Sequence, residues 1–514
     1  MEANGSQQEE EPRHLSSGDH ESLKEPRNGK GGWITFPFLA VAILGVGLAT
    51  GGATANMVVY LIKEYNVPSV DAAKISNIIS GSISVAPVAG AIVADAFFGS
   101  FPIVAVAMVM AVLSLVMFTL AASLPGLRPA ACQLGAGPCE QASAGQMAAL
   151  YAAVFLLCLS AAGARFNQAT MGANQFEAAA DRDVFFNWYF IFFYASTVLG
   201  ATVIVYVQDT VSWTLGFGVS CAAGVVGLAA LLLGTRYYRQ PPAQGSPFTG
   251  LARVVVAAAR KRKLNVVASE ELKFYYGLRT GDEDVKTGGD DVAIPSDSFS
   301  FLNRAAQVEE FKTVLRIMPL WSAAIVLSVS IGVQINFTIL QALAMDRTVG
   351  RFTAPAGSMF VGSLIAVVIF LGLLDRVLLP LWRRLTGHTP TALQCVGAGH
   401  ALTVLSMAAL LLPFAVAGAG EALHFPAQVT LYYQEFPASL KNTATGMMAM
   451  IVALGFYLST ALINVVQRAT AWLPDNMNAS KLENLYWLLT VLVAVNFGCF
   501  LTCAKLYTYQ NIGK

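Results

Sequence analysis

The chain has 514 residues, of which 55% are hydrophobic and only 12% charged, and its mean hydropathy is +0.58. This composition is too apolar for a soluble globular protein, so we expect an integral membrane protein whose partner is the lipid bilayer. A formal net charge of +1 gives no sign of nucleic-acid binding. The chain also lacks a Gly-rich phosphate loop, HExxH and GxSxG, so neither an enzyme nor a cofactor is expected.

The first half of the chain predicts six membrane spans. Residues 1–30 are rich in Glu, Ser, Gly and Lys and contain no apolar segment, which indicates a disordered cytosolic tail. Crossing about 30 Å of hydrocarbon takes about 20 helical residues. Segments of that length within residues 31–234 are 34–62, 71–94, 101–120, 146–167, 185–207 and 213–233.

A polar stretch separates these spans from a second group. Residues 235–310 form a predicted cytosolic linker that begins with LARVVVAAARKRKL, which is either an amphipathic helix on the inner leaflet or a basic flank of the preceding span. Basic residues in the tail and the linker place both on the cytosolic side. Residues 311–507 contain apolar runs at 314–340, 356–381, 392–432, 443–466 and 486–506, and residues 508–514 form a second tail.

The run 392–432 is too long for one span. Its 41 residues would form a helix about 60 Å long, twice the hydrocarbon thickness, although no polar loop interrupts it. Pro413 is the only helix breaker available, so we expect two spans with a tight turn there, twelve spans in all. A single span would instead move every later segment to the other side. The sequon at Asn478 lies in the last loop, which is extracellular only with twelve spans.

Seven cysteines show no CxxC and no Cys/His ligand spacing, so a metal site is not expected. Cys132 and Cys139 lie in a polar loop between predicted spans. They are candidates for a disulfide if that loop is extracellular.

Arg165 is a lone charge at the end of the uncharged stretch 148–163. A cation at bilayer depth costs about 2.5–3.5 kcal/mol, so it normally faces a partner or a watery cavity and marks a ligand pathway. A guanidinium stays protonated and offers a fork of donors to a planar oxyanion. An anion is therefore the expected ligand.

Several motifs together resemble a known family. The segments are GGWITFPF, PVAGAIVADAFFG, GARFNQATMGANQFE, FFNWYF, GAGEALHFP, YYQEFP and TAWLPDNMN. Their order is similar to that of the plant nitrate and peptide transporter family (NPF), within the proton-coupled oligopeptide transporter superfamily. The resemblance implies an all-α major facilitator fold, with two six-helix bundles around a central cavity and alternating access by rocking.

The resemblance also shows which charges are absent. The family's E-x-x-E-R motif in the first span falls on Ile43, Val46 and Gly47, so the usual proton-coupling groups are lost. The lysine that the family carries in its fourth span falls on Arg165, and the histidine of one nitrate-transporting branch falls on Ile331. The cation is thus kept without its usual acidic partners.

Other polar residues in the spans are candidates for the cavity wall. Gln334, Asn336 and Gln341 supply neutral dipoles in the seventh span, and Asn56 does so in the first, with helix packing as the alternative role. Glu421 matches the family's GxGE glutamate. It is either a gating partner of Arg165 across the two halves or a structural glutamate.

Within the family, the motif forms look most like the nitrate excretion transporters. A cavity that keeps a cation but loses carboxylates favours small anions. We therefore expect low-affinity efflux of nitrate, with chloride as a second substrate, across the plasma membrane with weak or no proton coupling. The alternatives are a proton-coupled carrier of nitrate, peptides or larger organic anions such as glucosinolates or hormones, and a non-transporting anion sensor. The cytosolic segments are candidate kinase substrates.

Two connections are shorter than the resemblance implies. The linker joins FLNRAA directly to QVEEFK, and the loop after the ninth span is missing. The second loss would strain the helices that position Glu421. A shortened form with impaired transport is therefore a further alternative.

Overall fold

The apolar segments form helices because a helix satisfies every backbone N–H and C=O within the segment, which hydrocarbon requires. The computed structural model describes residues 30–130, 132, 139–240, 308–350, 352–408, 413–435, 441–474 and 479–509. The tail before residue 30, the proposed amphipathic helix of the linker, the turn before Pro413 and the sequon residue Asn478 lie outside the described residues.

The first half contains six membrane helices, several of them built from more than one segment. Helices α1, α4 and α5 are interrupted, and α2 ends in a wide π-helical turn. Their bounds are α1, Phe36–Thr54 continued by Met57–Tyr65; α2, Ser69–Val93 with the turn Ala94–Phe98; α3, Ser100–Ser123; α4, Ala144–Ala164 continued by Asn167–Ala173; α5, Ala179–Leu199, Gly200–Ile204 and Val205–Thr210; and α6, Trp213–Leu233.

The second half repeats this number of helices. A short antiparallel hairpin, β1 and β2, lies between the first two of them. The bounds are α7, Val308–Ala344; β1, Thr348–Val349; β2, Phe352–Thr353; α8, Val361–Leu373, Leu374–Leu378 and Leu379–Thr386; α9, Ala392–Ala408; α10, Pro413–Glu435; α11, Lys441–Ala469; and α12, Leu482–Leu506.

The long run 392–432 forms two helices, which confirms that part of the sequence prediction. Pro413 is the first residue of α10, where a missing backbone N–H costs nothing. Ten helices of the described residues are long and apolar enough to cross a membrane, and α9 is a shorter apolar helix beside them. Helices α9 and α10 pack closely, because Gly399 brings α9 against Gly420 and His424 of α10. With α10, which is not among those ten, the described residues contain twelve helices in two groups of six.

Three apolar cores hold the helices together. One lies within the first half, around Leu39, Met108 and Phe185, and one lies within the second half, around Trp321 and Tyr432. The third contains residues of both halves. Its members include Tyr60, Phe118, Phe337, Leu340 and Ile463.

Hydrogen bonds between the halves lie from the middle of the membrane to its outer side. Lys74 of α2 donates to Gln467 of α11 at 2.9 Å, and Ser82 of α2 lies 2.9 Å from the Tyr457 hydroxyl of α11. If the tail and the linker lie in the cytosol, as the positions of the basic residues predict, these contacts and the shared core close the outer side.

The loop between α3 and α4 contains the disulfide Cys132–Cys139, whose Cα atoms are 5.1 Å apart. The Asn66 side chain, at the end of α1, donates to the backbone carbonyls of Ala130 and Glu140 at 3.0 and 2.9 Å. The two ends of this loop, at Ala130 and Glu140, are therefore held at the corner between α1 and α2.

Candidate substrate site

A cavity of about 360 Å³ lies between the two halves. Helices α1, α2, α4 and α5 contribute to its wall from the first half, and α7, α11 and Phe360 contribute from the second. The wall is mostly apolar with several neutral polar groups. These are Thr54, Ser76, Ser80, Ser84, Thr197 and Asn336.

Among the residues that the structure describes, Arg165 is the one charged residue in the wall of this cavity. It occupies the break between the two segments of α4, where the helical hydrogen bonding is interrupted. The Tyr189 hydroxyl donates to the Arg165 carbonyl at 3.1 Å, so α5 compensates for the break. The Arg165 side chain is exposed, and the cavity provides that exposure.

No carboxylate forms an ion pair with Arg165 in the part of the chain that the structure describes. A guanidinium carries five N–H donors and accepts no hydrogen bond. Placed in a cavity wall without a counter-ion, it supplies several donors and one positive charge to whatever enters. The arrangement can therefore bind an anion.

The three positions on which the family's first-span motif falls are uncharged and packed against neighbouring residues. Ile43 and Val46 are 2% and 7% exposed and belong to the apolar core of the first half. At Gly47, a Cβ atom would meet the Ser196 side chain of α5. Helix α1 therefore packs closely on α5 at this position.

Three serines of α2 line the cavity, and the sequence prediction missed them. Ser76, Ser80 and Ser84 follow one another at intervals of four and therefore lie on one face of the helix. Their regular spacing along the predicted second span was the signal available in the sequence. Their hydroxyl groups donate and accept hydrogen bonds without carrying charge.

Asn336 lies in the cavity wall, as expected for a candidate site residue. It is 2% exposed, and its Nδ2 donates to Oδ1 of Asn77 on α2 at 2.6 Å. The side chain thus lies in the cavity wall and also links the two halves.

Glu421 and Gln334 line a second, smaller cavity of about 50 Å³ together with Ile331. Ile335 and Phe360 belong to the walls of both cavities. The expected ion pair between Arg165 and Glu421 is not formed among the described residues, because the two side chains line different cavities. The Gln334 Nε2 is buried without a hydrogen-bond partner in the described structure.

The structure does not bring Asn56 and Gln341 to either cavity wall. Helix α1 breaks before Asn56, and the side chain packs against Gly357 instead, at 2% exposure. Gln341 shares a helical face with Gln334 but lies seven residues further, about 10 Å along α7. Both were candidates for substrate contact, and this geometry leaves them beside the site.

Twelve membrane helices in two halves, enclosing a central cavity with a charged residue in its wall, define a membrane transporter of the major facilitator type. The POT family profile matches residues 101–413. Protein NRT1/ PTR FAMILY 2.3 of Arabidopsis thaliana is 41% identical, with 97% of each chain covered, and Protein NRT1/ PTR FAMILY 2.7 is 40% identical, with 94% of each covered. An auto-inhibited POT family peptide transporter of known crystal structure has a TM-score of 0.70 at 16% identity, covering 94% of this chain and 98% of that chain.

The chain therefore belongs to the POT family and is similar over nearly its full length to the plant NRT1/PTR members. The predicted family and fold are confirmed. The protein is a multi-pass membrane transporter and not an enzyme.

Proposed function

We propose that this transporter carries nitrate, with chloride as a second substrate, out of the cell across the plasma membrane. The observation that carries the proposal is Arg165, which lines the central cavity without a carboxylate partner among the described residues. Nitrate is planar and singly charged, so it suits two parallel N–H donors of a guanidinium.

The neutral lining supports a small anion over a zwitterion. The hydroxyl groups of Ser76, Ser80, Ser84 and Thr197 can donate to the remaining oxygen atoms of nitrate. A zwitterionic peptide also needs a carboxylate for its ammonium group. The described part of the main cavity supplies none, because no Asp or Glu is among its lining residues there.

The direction follows from the charge of the substrate. With apolar residues at Ile43 and Val46, the part of the first span that precedes its break, Phe36–Thr54, offers no carboxylate to carry a proton with the anion. A singly charged anion crossing 100 mV changes in free energy by about 2.3 kcal/mol. Because the cell interior is negative, an uncoupled carrier releases the anion outward.

One observation favours a second candidate, a proton-coupled carrier of nitrate, peptides or larger organic anions. Glu421 lies in the smaller cavity, which shares two wall residues with the main one. A carboxylate at that place can take up a proton or an ammonium group. Inhibition of nitrate flux by peptides or glucosinolates, together with a strict dependence on a proton gradient, favours this candidate.

Nitrate release from proteoliposomes tests the role of Arg165. Replacing a charged hydrogen-bonding group costs about 1.5–3 kcal/mol, so we expect Arg165→Ala to slow release about 10- to 100-fold. Arg165→Lys keeps the charge but loses the forked pair of donors, so its release rate should lie between those of Arg165→Ala and the unsubstituted protein. Arg468→Ala, an exposed arginine outside both cavities, is the matched control and should release nitrate at the normal rate.

An unchanged release rate in Arg165→Ala contradicts the proposal. Nitrate binding without any flux in the unsubstituted protein indicates the sensor instead. Nitrate binding and nitrate release are measured on the same reconstituted sample. A variant that fails to fold is recognised because it loses both.

A further inference from the structure

Asp209, at the outer end of α5, is shared between two cations. Its Oδ1 lies 2.5 Å from Nζ of Lys63, and its Oδ2 lies 3.5 Å from Nη1 of Arg347. The Asp209 side chain is only 8% exposed, and that of Arg347 is 15% exposed. The pair of Asp209 and Arg347 therefore lies largely out of water, where ion pairs are less screened than at the surface, whereas the Lys63 side chain is 41% exposed.

The two ion pairs differ in what they join. Lys63 and Asp209 both belong to the first half, at the outer ends of α1 and α5. Arg347 belongs to the second half, between α7 and the β hairpin. Separation of the halves on the outer side must therefore break the pair with Arg347 and can leave the pair with Lys63 intact.

Arg347 has no second carboxylate among the described residues. Its Nη1 also donates to the Ala354 carbonyl at 2.8 Å, which holds the guanidinium on the hairpin. The adjacent Asp346 is engaged by Thr348, whose hydroxyl and backbone N–H both donate to Oδ1. These hydrogen bonds hold the pKa of Asp346 below its usual value, so it stays ionised and bound to Thr348.

Helix α5 connects this cluster to the main cavity. Its π-helical turn Gly200–Ile204 carries Ala201, which lines the cavity and whose carbonyl accepts a hydrogen bond from Ser358 of the second half at 2.7 Å. Turns of this kind leave backbone groups free for other partners and are frequent at functional sites. A movement of α5 away from the second half would break the contacts of Ser358 and Arg347 together.

We propose that Asp209 is a shared counter-ion at the outer gate: it holds Arg347 while the outer side is closed, and on opening it stays with Lys63 and leaves the Arg347 guanidinium as an anion contact on the exit route. The anion contact rests on the proposed transport of a small oxyanion; the gate does not. Lys63 keeps Asp209 from becoming an unpaired, largely buried charge, which would make opening costly.

Because two cations share Asp209, the variants should change the opening of the gate in opposite directions, which a gate made of a single ion pair would not do. Two cations compete for one carboxylate, so removal of Lys63 leaves Asp209 to Arg347 alone and should tighten the gate. Removal of Asp209 or Arg347 should loosen it. The three neutral variants Asp209→Asn, Arg347→Gln and Lys63→Gln thus have predicted effects of opposite sign.

Accessibility of a cysteine in the cavity measures the gate directly. Ser76 lines the cavity from α2 and is 6% exposed, so we would introduce Ser76→Cys and apply a membrane-impermeant thiol reagent outside intact cells. An ion pair of this exposure is worth up to about 1 kcal/mol, which corresponds to about a two- to fivefold change in the reaction rate. We expect Asp209→Asn and Arg347→Gln to raise the rate by that factor, and Lys63→Gln to lower it.

Glu64→Gln is the matched control, because it removes an ion pair to Arg128 on the same side of the membrane but within the first half. Its rate should equal that of Ser76→Cys alone. The protein without Ser76→Cys gives the background from the native cysteines. An unchanged rate in Asp209→Asn, or a faster one in Lys63→Gln, overturns the gate.

The half-saturating concentration of external nitrate in an exchange assay tests the anion contact. Arg347→Gln should raise it about three- to tenfold, whereas Asp209→Asn, which keeps the guanidinium, should not, and Arg347→Lys should largely restore it. Equal shifts in Arg347→Gln and Asp209→Asn overturn the anion contact. If the unsubstituted protein carries no nitrate, the proposed function fails, and the thiol reaction rates still decide the gate.

Discussion

Gly47 shows at the scale of a single residue how closely α1 packs on α5. A Cβ atom at this position would lie 2.6 Å from the Ser196 Cβ, closer than side-chain carbons approach. An arginine would need far more room, and its charge would be buried in the contact between α1 and α5. Burial of an unpaired charge is unfavourable by several kcal/mol, so loss of the arginine fits this close packing.

We predict that Gly47→Ala destabilises the protein by about 1–3 kcal/mol, because the added methyl group overpacks the contact with Ser196. Adding Ser196→Gly should recover much of the loss, since the nearest remaining Ser196 atom, Cα, is 3.9 Å away. Thermal unfolding in detergent measures both.

Gly218→Ala is the control for this pair of variants, because a Cβ atom there meets nothing within 4 Å. It should be neutral or slightly stabilising through helix propensity. A Gly47→Ala protein as stable as Gly218→Ala would show that α1 and α5 can move apart at no cost.

Helices α9 and α10 show at the scale of elements how a short connection is accommodated. The two helices approach so closely that a Cβ atom on Gly399 would lie 2.8 Å from Cβ and 2.9 Å from the backbone N of His424. Such an approach is possible only where glycine leaves space for the facing backbone. The close pairing fixes α10, and thereby the position of Glu421 beside the cavity.

Gly399→Ala should therefore lower the free energy of unfolding by about 1–3 kcal/mol, since the atoms it meets include backbone that cannot rotate away. The matched variant is Gly498→Ala on α12, where a Cβ atom has open space. Thermal melting of the two purified proteins compares them. Equal melting temperatures would mean that the pairing of α9 with α10 is loose.

At the scale of the whole molecule, the sequence predicted the number and order of the spans well. Hydropathy alone placed the six-plus-six arrangement, because hydrocarbon forces each long apolar segment into a helix. It also required two spans within 392–432, which the structure has as α9 and α10.

The cavity was harder to predict, because helix breaks decide which side chains face it. The break before Asn56 turns that residue toward Gly357, whereas Thr54 and Ala55 line the cavity. The π-helical turn that brings Ala201 to Ser358 has no sequence signature of its own. Periodicity assumes an unbroken helix, so it fails where the chain departs from one.

The cluster of charged residues at the proposed outer gate could not be predicted from the sequence either. Lys63, Asp209 and Arg347 come from three separate segments, and only the folded chain brings them together. Arg165 could be predicted as a candidate site residue because a lone cation within an apolar stretch is unusual in itself. The residues that surround an unusual group are much harder to infer than the group.

The segment Phe36–Thr54 of the first span contains no carboxylate, and this leads to a prediction about the energy source of transport. If the anion crosses without a proton, the membrane potential alone drives it, and each 100 mV contributes about 2.3 kcal/mol, or nearly a fiftyfold change in the equilibrium distribution. Proteoliposomes with a potassium diffusion potential, negative inside, should release nitrate faster as the potential grows. A pH gradient imposed at zero potential should leave the release rate unchanged.

The Glu421→Gln variant completes this experiment. It removes the carboxylate of the smaller cavity while keeping its size, so an uncoupled exporter should keep the same response to voltage and to pH. Release that requires the pH gradient in the unsubstituted protein and loses that requirement in Glu421→Gln would show instead that α10 carries the proton. In that case the same scaffold would operate as a symporter, with its coupling carboxylate in the second half instead of the first.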